Sequence, residues 1–303
     1  MSAWESIRYE VPVPKVARIV LSRPEKRNAQ SYHLLYELNE AFDRAAQDDG
    51  ISVIILAADG PDFSAGHDLK DTRRMQAFED FDAVGTWCGF GCAGAEGRMA
   101  IEAEVYLGLS ERWRNIAKPT IAAVQGKCIA GGLMLAWPMD LIVAGETASF
   151  RNNTMEMGVA GTELFHEPWE LGVRKAKELM FTADYYSAQE ARELGMVNHV
   201  VPDAELQDFT LALAERISRM QLFALKLAKA AVNSAQDRMG RKDSLQIGFA
   251  HHQLSHAHNQ ELYGYGIDPA FMDRLGYARP ASKPEQAQAE QAQAEQANEG
   301  DRS

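Results

Sequence analysis

The sequence predicts an α/β fold that ends in a helical layer. Three observations carry this. Short β-branched runs such as SVIILAADG (52–60) are apolar throughout, as strands covered on both faces are. Segments with helical spacing alternate with these runs through about residue 200. From Asp203 onward the strand signals stop and amphipathic helices follow.

In chain order, VARIVLSRP (16–24) reads as a strand running into a turn. SYHLLYELNEAFDRAAQDDG (31–50) places Leu34, Leu35, Leu38 and Phe42 on one helical face, with Ser31 as N-cap and Gly50 beyond the end. TIAAVQG (120–126) and DLIVAGE (140–146) are two more buried strands. ELQDFTLALAERISRM (205–220) and QLFALKLAKAAVNSAQD (221–237) are amphipathic helices. Leu222, Leu225, Leu227, Ala228 and Val232 form apolar stripes that a thin layer does not bury alone. Between Asp68 and Lys118 the rhythm breaks, and 69–117, with its WCGFGCAGAEG run (87–97), is expected to be a long loop over a site. This gives a core over 1–202, a helical layer over 203–282 and a low-complexity tail over 283–303. The tail is rich in Ala, Gln and Glu, offers nothing large to bury, and is expected to be disordered or a frayed helix.

The bulk numbers exclude several classes. The 303 residues suffice for a large core, and 46% are apolar. A net charge of −12 repels phosphate backbones, so no nucleic-acid partner is expected. Three cysteines, Cys88, Cys92 and Cys128, do not make a disulfide framework. No metal is expected: Cys88 and Cys92 lack a second ligand pair. His252 and His256 in HHQLSHAH stand four apart but have no glutamate between them, and read as surface or packing groups. MSAWESIRYEVPVPK has no basic start followed by an apolar run, and no stretch reaches the roughly 20 apolar residues of a membrane span. A soluble cytoplasmic protein is expected.

Two strand ends stand out. FSAGHDLK (63–70) puts small residues where a ligand can lie against the main chain, leaving the His67 N–H free to donate. IAGGLMLAWPMD (129–140) places Gly131 at a helix start, again with a free N–H. Two such donors aimed at one point would stabilise an oxyanion, each by about 3 kcal/mol.

SRPEKRNA, FSAGHDL, PTIAAVQGKCIAGGL, DLIVAGETASF, ELGVRKAKELMFTAD and SAQEARELGMVNHVV, in this order over roughly 6–205, resemble the crotonase superfamily, the enoyl-CoA hydratase/isomerase group. The resemblance implies a spiral of ββα units and a C-terminal helical layer that builds trimers, often paired into hexamers. It implies an acyl-CoA thioester substrate, with coenzyme A present only as part of that substrate and no other cofactor. Its thioester oxygen would sit between the His67 and Gly131 N–H groups. Coenzyme A would run past Lys26, Arg27 and Ala29, and past Ala65, Asp68 and Leu69, with Lys26 and Arg27 available to its phosphates.

The sequence departs from the family where hydration is done. Hydratases of the family use two glutamates, one three residues after the oxyanion glycine and one four residues after the phenylalanine of ASF. Here these positions hold Met134 and Thr154. A thioether is no acid or base, and a threonine hydroxyl is a poor one. GVAGTELFHEPWELG (158–172) carries Glu163, His166 and Glu167. Glu163 is the first candidate for a relocated base, because dienoyl-CoA isomerases and chlorobenzoyl-CoA dehalogenases of the family place an acidic residue close to Thr162 or Glu163. Glu156, the His67 ring, His166, Tyr106, Glu102 and Glu104 rank behind it. In a drier pocket the Glu163 pKa is expected to rise.

The expected function is that of a lyase or isomerase acting on an acyl-CoA through an enolate-like state, with poor hydration of simple 2-enoyl-CoA. Isomerisation, decarboxylation, C–C hydrolysis and thioester hydrolysis stay open. The alternative is a non-catalytic acyl-CoA-binding or assembly subunit. A homotrimer or dimer of trimers is expected, with no membrane partner.

Overall fold

The computed structural model describes residues 4–274 and Gly276, so the tail and the end of the expected helical layer lie outside the described residues. The chain opens with β1 (Ile7–Val13) and β2 (Val16–Leu21), then α1 (Tyr32–Gln47) and β3 (Val53–Ala58). Next come α2 (Ala77–Asp80), α3 (Gly94–Glu102), a π-helical turn over Ala103–Gly108 and α4 (Leu109–Arg114). β4 (Thr120–Val124), β5 (Lys127–Ile129), α5 (Leu133–Ala136), β6 (Leu141–Gly145) and β7 (Ser149–Arg151) follow. The middle of the chain ends with α6 (Glu167–Leu171), α7 (Val173–Thr182), β8 (Tyr186–Ser187), α8 (Ala188–Glu193) and β9 (His199–Val201). The described chain then holds α9 (Leu206–Ser218), α10 (Leu222–Gln236), α11 (Lys242–Tyr263) and α12 (Pro269–Arg274).

β-Strand pairing builds a six-stranded sheet in the order β1-β2-β3-β4-β6-β9 and a small sheet β5-β7-β8. The large sheet is parallel except for the β1–β2 hairpin. β3 shows why the continuous apolar run folds as it does. Its six residues are all buried. Ile54, Leu56 and Ala58 face one core with Leu34, Leu38 and Phe42 of α1. Val53, Ile55 and Ala57 face a second core with Leu206 and Leu213 of α9. A strand with helices on both faces has no polar side to alternate with. Ser31 caps α1 as expected, its hydroxyl accepting the Leu34 N–H at 3.2 Å.

The expected loop over 69–117 is instead largely helical from Gly94 onward. Ala100, Val105, Leu109 and Trp113 are buried at helical spacing. The preceding Gly- and aromatic-rich run hides that period in the sequence. Glu104 pins the segment from inside, accepting hydrogen bonds from the Tyr36 hydroxyl at 3.1 Å and from the N–H groups of Val84 and Gly85 at 2.6 and 2.8 Å.

The C-terminal helices are attached differently. α10 has no buried residue, and Phe223, Leu227 and Val232 are 70%, 55% and 69% exposed. Among the described residues no helix is long and apolar enough to cross a membrane. Arg241, just before α11, is fully buried. Its guanidinium makes two parallel bonds to Glu111 of α4 at 2.6 and 2.7 Å, one to Asp237 at 2.7 Å, and one to the His166 ring at 3.3 Å. Removing one partner of such a set strands the buried charges of the others. Arg241→Ala is therefore expected to lower unfolding free energy by about 3–5 kcal/mol, read by urea denaturation. A loss below about 1 kcal/mol would show that the network is not what fastens α11.

Candidate active site

The site is built where two strand exits meet. The chain after β3 runs beside β5: the Ser64 N–H donates to Lys127 O at 3.1 Å, and the Ile129 N–H to Ser64 O at 3.0 Å. Gly66 has φ +91°, and a Cβ there would lie 2.8 Å from Ile129 O and 3.3 Å from Gly131 N. Only glycine gives both the left-handed backbone and this approach. On its other side the strand pairs with Gln30, whose N–H donates to Gly66 O at 2.8 Å and whose carbonyl accepts from the Asp68 N–H at 2.9 Å. In a parallel bridge these two bonds flank His67, so the His67 N–H points away from Gln30. Gly131 lies in a 3-10 turn (Ala130–Gly132) that leads into α5, where N–H groups lack intrahelical acceptors.

The ring of His67 covers this junction. A Cβ on Gly131 would stand 2.6 Å from its Cε1. The ring stacks on buried Tyr106 with centroids 3.9 Å apart. Its Nε2 is 3.9 Å from Glu163 Oε1, and Glu163 in turn is 3.4 Å from His252 Nε2 on α11. The structure thus brings His67, Gly131 and Glu163 together. It also overturns one expectation. Burial alone would raise the Glu163 carboxyl, but the charges of His252 and His67 hold it at about 2. The sequence showed the loss of polar neighbours at Met134 and Thr154, not the arrival of His252 from a helix some ninety residues downstream.

Met134 and Thr154 are both buried. The Thr154 hydroxyl donates to Asn152 Oδ1 at 2.6 Å, and Asn152 Nδ2 donates to Glu167 Oε1 at 2.6 Å. Thr154 is thereby committed to a local network. Lys26 and Arg27 are half to two-thirds exposed, 3.6 Å from Asp68 and 3.8 Å from Asp62. Asp68 is also bonded to Arg23 at 3.0 Å, and Arg23 donates to Ala29 O at 2.6 Å. The Ala65 N–H donates to Arg27 O at 2.9 Å, so the 26–29 and 65–69 segments lie side by side, with Leu69 half-buried between neighbours.

The lower-ranked candidates separate cleanly. His166 is buried beside Arg241, and burial together with Arg241 and Arg114 drives its pKa to about 3; it packs as a neutral acceptor. Glu156 pairs with Arg151 at 2.8 Å on the outside. Glu104 pins the 84–85 turn. Glu102, at the end of α3, reaches His252 and His256 instead of the strand exits. Sequence reasoning missed this link, because its partners stand 150 residues apart.

Burial raises the Glu167 pKa to about 7, with the Asn152 hydrogen bond too weak an offset. A carboxyl raised on folding contributes its stability below the unfolded value and loses it as pH rises through the folded one. Glu167→Gln mimics the neutral acid. Between pH 5 and pH 9 the wild type is expected to lose up to about 3 kcal/mol relative to this variant, measured by urea denaturation at both pH values. A constant difference would show that Glu167 is ionised throughout.

The chain is similar to known proteins over most of its length. A family model described as enoyl-CoA hydratase/isomerase matches residues 14–86 and 91–268. "Putative enoyl-CoA hydratase EchA13" of Mycobacterium tuberculosis is 43% identical over 266 residues, 86% of this chain and 84% of that protein. A solved structure described as a probable enoyl-CoA hydratase from Mycobacterium smegmatis shares 43% identity and a TM-score of 0.78, covering 86% of this chain and 99% of that one. A solved monofunctional enoyl-CoA isomerase from M. smegmatis shares 25% identity and a TM-score of 0.60, covering 77% and 94%. The fold is the crotonase-type α/β architecture with C-terminal helices. On a family match over most of its length, a close relative and the shared fold, this chain belongs to the enoyl-CoA hydratase/isomerase family.

Proposed function

We propose that the protein transforms an acyl-CoA thioester by moving a proton at the carbon next to the carbonyl, and that it is a poor hydratase. The observation that carries this reading is the close approach of Gly66 to Ile129 and Gly131, with Glu163 joined to the same spot through His67. The thioester oxygen accepts from the His67 and Gly131 N–H groups, which hold developing enolate charge without reorganising. Glu163, kept ionised, takes the α- or γ-proton and returns it. Hydration needs a second carboxyl group to handle water. Met134 offers none, and the Thr154 hydroxyl is spent on Asn152. Likeness to a solved enoyl-CoA isomerase fits the same chemistry. Lys26 and Arg27 meet the phosphates of coenzyme A, which runs along Ala29, Ala65, Asp68 and Leu69 as part of the substrate. A cytoplasmic location belongs to this reading.

A second reading, a non-catalytic acyl-CoA binder, has its own observation: the His67 ring lies against Gly131, where it would crowd a thioester oxygen away from the Gly131 N–H. An acyl-CoA panel in deuterated water, read by mass spectrometry, separates the two. The enzyme is expected to exchange deuterium into one substrate, to hydrate crotonyl-CoA at close to the uncatalysed rate, and to retain CoA binding in all variants. Glu163→Gln should cut exchange by about 10²–10⁴ and Gly131→Pro by about 10²–10³. Binding without exchange would establish the binder, and fast crotonyl-CoA hydration would show that the acids are misplaced.

The same reading includes a homotrimer or a dimer of trimers. The uncovered apolar residues Phe223, Leu227 and Val232 of α10 support it. Light scattering at micromolar concentration is expected to give three or six subunits, and a stable monomer would overturn this.

A further inference from the structure

A second constellation lies behind the Glu163 pocket. His252 and His256 stand one turn apart on α11, so both rings leave the same face. The carboxylate of Glu102, at the end of α3, meets them from the other side. His252 Nε2 is 3.1 Å from His256 Nε2 and 3.2 Å from Glu102 Oε2, and His256 Nε2 is 3.7 Å from Glu102 Oε1. Ligands bound tetrahedrally at about 2.0–2.1 Å from a metal stand roughly 3.3–3.4 Å from one another. The two contacts of His252, at 3.1 and 3.2 Å, lie close to that value, His256 meets the other Glu102 oxygen at 3.7 Å, and one ligand atom from each residue lies within 4.8 Å of the other two.

The surroundings orient the ligands. His256 Nδ1 lies 2.6 Å from Gly266 O. A carbonyl only accepts, so this nitrogen carries the proton, and the lone pair of Nε2 faces the cluster. Metal-bound histidines are commonly held in this way. Gln253 Nε2 donates to Glu102 Oε2 at 2.6 Å and fixes the carboxylate. His252 is 1% exposed and Glu102 9% exposed, so water does not compete freely. Glu163 Oε1, 3.4 Å from His252 Nε2, brings a second negative charge. Arg98 is nearby but donates to Gln260 at 3.3 Å.

We infer that Glu102, His252 and His256 bind one divalent transition-metal ion of the zinc class, clamping α3 to α11. Two nitrogens and one carboxylate oxygen suit zinc or cobalt better than calcium or magnesium. The competing occupant is a proton on His252, which would make the cluster an ion-paired packing group. The inference does not depend on the acyl-CoA chemistry and is tested without substrate.

Tag-free protein is stripped with a chelator, dialysed and titrated with Co²⁺, following visible d–d absorption and metal content by mass spectrometry. One equivalent per chain is expected, displaced by Zn²⁺. His256→Ala and Glu102→Gln should each weaken Co²⁺ binding by at least about 100-fold, with unchanged circular dichroism. A Cys88→Ser/Cys92→Ser double variant should bind as the wild type does. Less than half an equivalent on the wild type overturns the inference, whether or not any variant folds. So does a site that survives both His256→Ala and Glu102→Gln, or one that the cysteine variant loses.

Discussion

The constraint on which the site depends is the contact of two backbones. Gly66 approaches Ile129 and Gly131 so closely that no side chain fits between them. That contact needs the exit of β3 to lie beside β5, with Ser64 exchanging bonds with Lys127 and Ile129. It needs β3 and β4 in parallel register, which the two opposed cores hold from both faces. A shift of one residue would exchange the two faces of β3 and separate the exits. The large sheet and its two cores therefore fix how the two strand exits meet.

Charge is distributed against intuition in this acidic chain. Glu163 is buried yet ionised, because His252 and His67 stand against it, while Glu167, four residues on, is buried and pushed toward neutrality. Carboxyls four residues apart, one just before α6 and one at its start, are thus shifted in opposite directions. What separates them is the set of neighbours that other segments deliver, since both are buried. Divergence of this kind between nearby carboxyls is how acids and bases are made from one residue type.

The local features were legible in the sequence because they have local causes. Ser31 caps α1 through its own hydroxyl, and the all-apolar β3 announces cover on both faces. The FSAGHD and IAGGL stretches stood out as small residues after strands, though the contact of their two backbones was not read from them. What stayed hidden depends on partners far apart in sequence. The helix over Gly94–Glu102 was masked by glycines, and it is held by Glu104 reaching Tyr36. The ionised state of Glu163 depends on His252. The contact of His252 and His256 with Glu102 was hidden because Glu102 stands on another helix, where no local motif could show it.

Arg241 has a further consequence for how the molecule divides its labour. One join between α11 and the body is made by the buried Arg241 guanidinium with Glu111, Asp237 and His166, beside the buried Leu245 and Phe249 of the helix itself. Directional polar bonds occupy little area. They fasten the helix without drawing its neighbour's apolar residues inward, and α10 keeps Phe223, Leu227 and Val232 facing outward. The chain thus fastens its C-terminal helices while α10 keeps an apolar face that no described residue covers.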